Sequence, residues 1–226
     1  MKASQVTEQD SRLIRDVFRG LEEHYGWFDW WPTSDPYQIM MGAILVQNTN
    51  WKNAEKALDN LGKTITPQQV ASMDIDELAQ AIRSSGYYNQ KALKLKAMTQ
   101  WFGQYDYEID AVRSEELEKL RSELLAVRGI GGETADAILV YAIGKPSFVI
   151  DAYARRIFER VGLDVPKSYE TFHDLMHRVL EPDTRRYGYY HGVLVEHGQQ
   201  FCHPRPKCES CPLLSRCQEG LSKTHV

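Results

Sequence analysis

Apolar residues recur along most of this chain at the three- and four-residue intervals of amphipathic helices. Leu13, Val17 and Leu21 stand at i, i+4 and i+8, and Ile75, Leu78 and Ile82 at i, i+3 and i+7. Leu117, Leu120, Leu124 and Val127 share one face of 113–127, and Tyr153, Ile157 and Val161 one face of 151–162. Helix starts are expected after Asn89, Ser114 and Asp151, each a good N-cap ahead of a helix-forming run. Strand signal is confined to short runs such as Phe148-Val149-Ile150. The pattern predicts an all-α protein of about ten helices, with no sheet. WWPTSDP at 30–36 and GKPS at 144–147 interrupt the periodicity and mark soft boundaries.

Composition narrows the class. The 226 residues are 42% hydrophobic and 26% charged, values that exclude collagenous, low-complexity and wholly disordered chains. The apolar stretch Ile39–Val46 is far short of the ~20 residues of a membrane span. MKASQVTEQD has no apolar signal-peptide core, so a soluble, cytoplasmic protein with no membrane partner is expected. The net charge is −4, with 4 bases and 6 acids in 1–34, 12 and 15 in 35–147, and 11 and 10 in 148–226. Any nucleic-acid contact must therefore rest on local placement rather than on a global field.

Three local features carry chemistry. The four cysteines, Cys202, Cys208, Cys211 and Cys217, are spaced C-x5-C-x2-C-x5-C. Such a cluster in an intracellular chain points to a metal, either a [4Fe–4S] cluster or a structural four-cysteine zinc. Four protein ligands leave no open position, so this is not the active centre. Arg205, Lys207 and Arg216 stand among the ligands, where they are either solvated charges or an edge for a phosphate. Second, LAVRGIGGETAD at 125–136 reads as a helix, a glycine turn and a new helix. Gly129, Gly131 and Gly132 allow close approach of another backbone, and a helix N-terminus offers N–H groups to a phosphate without sequence preference. Third, Asp151 follows the apolar FVI at a helix start; the local sequence favours an N-cap, and a capping carboxylate is also rigidly aimed and kept ionised.

Taken in order, these features resemble the helix–hairpin–helix DNA glycosylases of the endonuclease III superfamily. The residues that carry the likeness are Gly129-Ile130-Gly131, Thr134-Ala135, Asp151, the four cysteines, Gln47 in ILVQNT and Gly86-Tyr87-Tyr88-Asn89 ahead of Lys91. The likeness spans roughly 27–217. WWP at 30–32 with GAILVQNT at 42–49, SGYYNQKA at 85–92 and GIGGETADAILVYA at 129–142 are most similar to the subgroup that excises 3-methyladenine. Two departures stand out. The first cysteine interval is x5 where the endonuclease III pattern has x6, and Glu133 occupies the position of the lysine that lyase members use.

The resemblance implies two helical lobes with a DNA-binding cleft between them. Residues 35–147 would form a six-helix barrel lobe carrying the hairpin, and 1–34 with 148–226 an iron–sulfur cluster lobe ligated by the four cysteines. The implied partner is double-stranded DNA containing damaged bases, bound by a monomer. Gln47 would fill the gap left by a flipped base, Tyr87 would wedge beside the orphaned partner, and Arg128, Gly129, Gly131 and Gly132 would grip phosphates. Trp31, Pro32 and Trp51 would line the base pocket, where aromatic faces favour a cationic alkylated purine; core packing is the alternative use of any such tryptophan. Asp151 would stabilise the sugar cation and orient water. With Glu133 in place of lysine, no Schiff base forms, which implies a monofunctional hydrolase in base excision repair. The alternatives are an endonuclease III-like glycosylase for oxidised pyrimidines or mispaired uracil or thymine, a non-catalytic iron–sulfur DNA-binding module, and an electron-transfer protein.

Overall fold

The structure, a computed structural model, describes residues 6–62 and 64–224. Its helices are α1 (Glu8–Tyr25), α2 (Pro36–Leu45), α3 (Trp51–Leu61), α4 (Pro67–Ser72), α5 (Ile75–Ala81), α6 (Tyr88–Gly103) and α7 (Ile109–Arg113). They continue as α8 (Leu117–Ala126), α9 (Gly132–Ala137), α10 (Ala152–Val161), α11 (Tyr169–Val179), α12 (Thr184–Gln200) and α13 (Gln218–Thr224). Short turns of 3-10 helix fall at Arg83–Ser85, Cys208–Ser210 and Leu214–Arg216, and a π-helical turn, Ile138–Ile143, continues α9. No strand occurs among the described residues, and none of their helices is long and apolar enough to cross a membrane. The protein is all-α, as the periodicity predicts. Its helices exceed the expected ten because α4, α5, α7 and α13 have at most seven residues, too few to repeat a pattern.

The chain divides into two compact units. One is formed by the chain up to Trp30 and from Ser147 onward, the other by Trp31–Pro146. Trp31–Ser34, grouped with the first helix on sequence grounds, thus fall in the second unit, and Ser147 falls in the first.

The Trp31–Pro146 unit is built around α2. Asp35 caps it, its Oδ1 accepting from the N–H groups of Tyr37 (2.9 Å) and Gln38 (3.2 Å), while Pro36 begins the helix. Ile39, Met40, Met41, Ala43, Ile44 and Leu45 are all buried, so α2 is apolar on every side. It packs against α3, α6, α9 and the π-helical turn. In the other unit, α1 buries Ile14, Val17, Phe18 and Leu21 against α11 and α12. This stripe differs from the expected one, because residues eight apart drift by about 80° around a helix. Leu13 accordingly lies at the edge, half-buried, and Ile14 takes its place.

Two expected helix starts move. Asn89 lies inside α6, whose N-cap is Tyr87 in the left-handed region (φ 46°). Ser114 closes α7, and α8 is capped by Glu116. The strand-like Phe148–Ile150 is buried yet forms no strand. Side chains of α11 satisfy it instead. Tyr169, His173 and His177, at i, i+4 and i+8, form a ladder: Phe148 N–H donates to His177 Nε2 (3.0 Å) and Ile150 N–H to Tyr169 Oη (3.3 Å). Ser147 Oγ lies 3.2 Å from His173 Nε2. The ladder fixes the segment that ends at Asp151.

Candidate functional site

Within the Trp31–Pro146 unit, the glycine turn between α8 and α9 is tightly specified. Gly129 has φ +82°, and an added Cβ would lie 2.6 Å from the Lys94 side chain, so glycine is required by conformation and by space together. Ile130 is buried and anchors the turn, whereas Arg128, Gly129 and Gly131 are exposed. Gly131 caps α9 in extended backbone. Beneath the turn, Arg121 on α8 donates Nε to Asp136 Oδ1 (2.8 Å) and Nη2 to Oδ2 (3.2 Å). This bidentate pair, with Asp136 fully buried, clamps α8 to α9. Glu133 is exposed in the first turn of α9.

Gln47, just beyond α2, is tied to the turn. Its Nε2 donates to Thr134 Oγ1 (2.8 Å) and to the Gly129 carbonyl (3.3 Å), and its Oε1 accepts from Lys94 Nζ (2.5 Å). Tyr87 follows Gly86 (φ 69°), so two successive residues have positive φ. Its aromatic side chain is 73% exposed, on backbone that a bulky residue adopts only under strain.

Trp31 and Trp51 meet edge to face, with ring centroids 5.4 Å apart at 78°, and Tyr141 lies 4.8 Å from Trp31. Both indoles rest on Gly42 of α2, where a Cβ would stand 3.3 Å from each ring. The buried Trp31 Nε1 has no hydrogen-bond partner. Pro32 and Trp51 line a cavity of about 350 Å³ together with Met41, Leu58 and two carboxylates, Glu55 and Asp59, on α3. Trp31 is not among its lining residues; it reaches Trp51 by ring contact. Glu55 and Asp59 escape the sequence reading, although their i, i+4, i+8 spacing with Trp51 places the three on one face of α3.

In the other unit, Asp151 caps α10, its Oδ1 accepting from Ala154 N–H at 2.7 Å. The residue is 7% exposed, and Oδ2 faces His191 Nε2 of α12 at 3.7 Å. Capping and a second, separately directed carboxylate oxygen thus coexist. His191 has no signal in the sequence, because it sits within the aromatic run YYHG, forty residues further along.

Cys202, Cys208, Cys211 and Cys217 all line one small pocket, of about 20 Å³, with Arg160 and Leu214. Arg160 donates from Nη1 to Cys202 Sγ (3.4 Å) and to the His203 carbonyl (2.8 Å). Gly220 N–H donates to Cys217 Sγ (3.3 Å), and Cys211 Sγ lies 3.6 Å from His197 Nε2. Burial, helped by the charges of the other three cysteines, pushes the Cys211 thiol up to about 11. As thiolates the four repel one another and need a cationic centre. Among the described residues, no three His, Cys, Asp or Glu side chains converge on one ion. Of the neighbouring cations, Arg216 is already 3.7 Å from Glu23, while Arg205 and Lys207 are exposed.

Comparison with known proteins adds to this geometry. Residues 41–182 match the HhH-GPD superfamily base excision DNA repair proteins. A Methanocaldococcus jannaschii protein provisionally named a DNA repair glycosylase is 37% identical over 94% of this chain and 99% of its own length. Endonuclease III of Sulfolobus acidocaldarius is 30% identical over 84% of each chain. Among solved structures, Helicobacter pylori 3-methyladenine DNA glycosylase bound to 1,N6-ethenoadenine is similar with a TM-score of 0.72 at 26% identity, covering 84% of this chain and 97% of that one. A non-covalent endonuclease III–DNA complex shares the fold with a TM-score of 0.78 at 21% identity, over 96% and 99% of the two chains.

Proposed function

This chain belongs to the HhH-GPD superfamily of base excision DNA repair proteins and is a DNA glycosylase, and from that premise we propose that it excises alkylated purines by hydrolysis, without cleaving the strand. The observation that carries the substrate reading is the Trp31–Trp51 pair resting on Gly42, beside a cavity that Trp51 shares with Glu55 and Asp59. An N3- or N7-alkylated purine is a flat cation. Aromatic faces and carboxylates both favour it over a neutral base, whereas a neutral oxidised base gains nothing from the charges. The similarity to a 3-methyladenine glycosylase points the same way.

The damaged nucleotide must leave the duplex to be reached. Gln47 and Tyr87 enter the stack in its place, and the turn at 128–132 holds the flanking phosphates of double-stranded DNA, with the protein acting as a monomer. As the bond between C1′ and the purine nitrogen breaks, the electron pair leaves with the base, which departs neutral because it was already cationic. No proton need be delivered to it. Positive charge develops on the sugar, and the Asp151 carboxylate, held by its cap, stabilises it electrostatically. The attacking water bonds to C1′ and gives its proton to the Oδ2 side of Asp151, beside His191. Glu133 has no amine, so it forms no Schiff base with the opened sugar.

Cys202, Cys208, Cys211 and Cys217 would hold a [4Fe–4S] cluster, whose chemistry here is to neutralise four thiolates and brace the C-terminal loop. Four soft thiolate ligands with no histidine among them, lining one pocket, are the donor set such a cluster takes. Iron rather than zinc on metal analysis is the expected result. A second reading, a glycosylase for oxidised pyrimidines, is favoured by the endonuclease III relatives. Excision from a panel of single-lesion duplexes decides between the two. Release from alkylated purine and none from thymine glycol supports the first, and the reverse pattern the second.

A further inference from the structure

Lys91 is 2% exposed, the most deeply buried charged side chain of α6. It stands on the apolar stripe of that helix, in line with Leu95, Met98 and Phe102. Burying an ammonium is costly, and methionine would fill the same volume without that cost. What the ammonium provides is two hydrogen bonds. Its Nζ donates to the carbonyl of Leu45 at 2.8 Å and to that of Ser85 at 2.6 Å. Leu45 is the last residue of α2, and Ser85 the last of the turn Arg83–Ser85. Each carbonyl is therefore at a helical C-terminus, where the backbone dipole favours a cation. Two residues beyond each carbonyl comes a side chain of interest: Gln47 after Leu45, and Tyr87 after Ser85. Both loops leave ordinary backbone there, with positive φ at Asn48, Gly86 and Tyr87. Gln47 is also held through its side chain by Thr134, Gly129 and Lys94, but one nitrogen atom, Lys91 Nζ, ties the roots of both loops together.

We propose that Lys91 is a positioning residue that sets the spacing of the Gln47 and Tyr87 loops, so that the two side chains enter DNA as one rigid wedge. The inference rests on the reading that Gln47 and Tyr87 occupy the stack when a base is extruded. Lys91 acts on extrusion and takes no part in breaking the glycosidic bond. Its loss therefore matters most when the damaged base must be pulled from a partner.

The test compares wild-type protein with Lys91→Met and Lys91→Arg on two duplexes. One carries 7-methylguanine paired with cytosine, and the other carries the same lesion opposite a tetrahydrofuran spacer. Single-turnover excision by Lys91→Met should fall about 10- to 100-fold on the paired lesion, and by less than about threefold on the unpaired one. Lys91→Arg, whose planar fork cannot place one nitrogen between both carbonyls, should show the same split at smaller amplitude. Equal losses on the two duplexes would mean a general structural role and overturn the proposal. A second measurement needs no excision. With 2-aminopurine opposite a tetrahydrofuran site, wild-type binding should raise the fluorescence as the orphan base is unstacked, and Lys91→Arg should raise it markedly less. A wild-type rise in the variant refutes the wedge. Should the wild-type protein release no alkylated purine from either duplex, the substrate reading fails, and the fluorescence measurement still decides the role of Lys91.

Discussion

Replacing Gly42 by alanine puts one methyl group against the two tryptophans on which the substrate reading depends. An ideal Cβ there lies 3.3 Å from Trp31 Cζ2, 3.3 Å from Trp51 Cη2 and 3.4 Å from Trp51 Cζ3. Two effects oppose each other. Gly42 is inside α2, where alanine is worth about 0.8–1 kcal/mol of helix propensity. Overpacking a filled site costs about 1–3 kcal/mol, and contacts of this length call for the low end. The net change is thus between zero and roughly 1 kcal/mol of destabilisation, or at most about 2–4 °C in melting temperature. The rings, however, must give way by a few tenths of an ångström, which disturbs their 5.4 Å, 78° arrangement. A base–aromatic stack is worth about 1–3 kcal/mol, and partial loss of that gives roughly a 3- to 30-fold slower excision of 7-methylguanine. Single-turnover excision, thermal melting and binding of a tetrahydrofuran duplex, measured on the same preparation, separate these effects. Excision should fall while abasic-site binding stays within about twofold, because no base is present to stack. Unchanged excision would exclude the ring pair from the base pocket, and a parallel loss of excision and abasic-site binding would leave it a packing role only.

Asp151→Asn retains an N-cap acceptor but removes the charge, so damaged DNA should still bind while excision falls about 100-fold or more; loss of binding in parallel would reduce Asp151 to its capping role. Wild-type protein incubated with abasic DNA and borohydride should give no trapped adduct, because Glu133 cannot form a Schiff base. A covalent adduct on a denaturing gel contradicts this. Burial lowers Lys91 from its ordinary value of 10.5 to about 8, with the Lys94 charge adding to the effect. Between those two values the unfolded chain binds the proton and the folded one does not, so stability rises with pH through that window and the full cost persists below it. Relative to Lys91→Met, wild-type protein should gain on the order of 2 kcal/mol between pH 8 and about pH 10 in urea titrations. A flat difference rules out the buried ammonium.

The parts of the site that rest on neighbouring residues were legible in the sequence. Three glycines within four positions announce the turn at 129–132, an aspartate before AYARRIFERV announces the cap, and the cysteine spacing announces the shared cavity. What was not legible depends on chain segments far apart. His191 meets Asp151 across forty positions, and Lys91 reaches Leu45 across 46. A lysine on an apolar stripe is a detectable anomaly, but its two carbonyl partners are not visible until the helices pack. Phe148–Ile150 misleads for a related reason. Its residues read as a strand, yet the N–H groups of Phe148 and Ile150 are satisfied by the Tyr169–His177 ladder, whose i, i+4, i+8 spacing looks like an ordinary helix face. Gly42 carries no sequence signal either, since a glycine in an apolar run gains meaning only from the rings lying on it.

Removal of cationic purines by this glycosylase is tested most directly by chromatography of the free bases it releases from duplex DNA treated with a methylating agent. 3-Methyladenine and 7-methylguanine are expected in the soluble fraction, with the DNA strands intact until alkali is added. Release of neither base, together with release of thymine glycol from oxidised DNA by the same preparation, would contradict it.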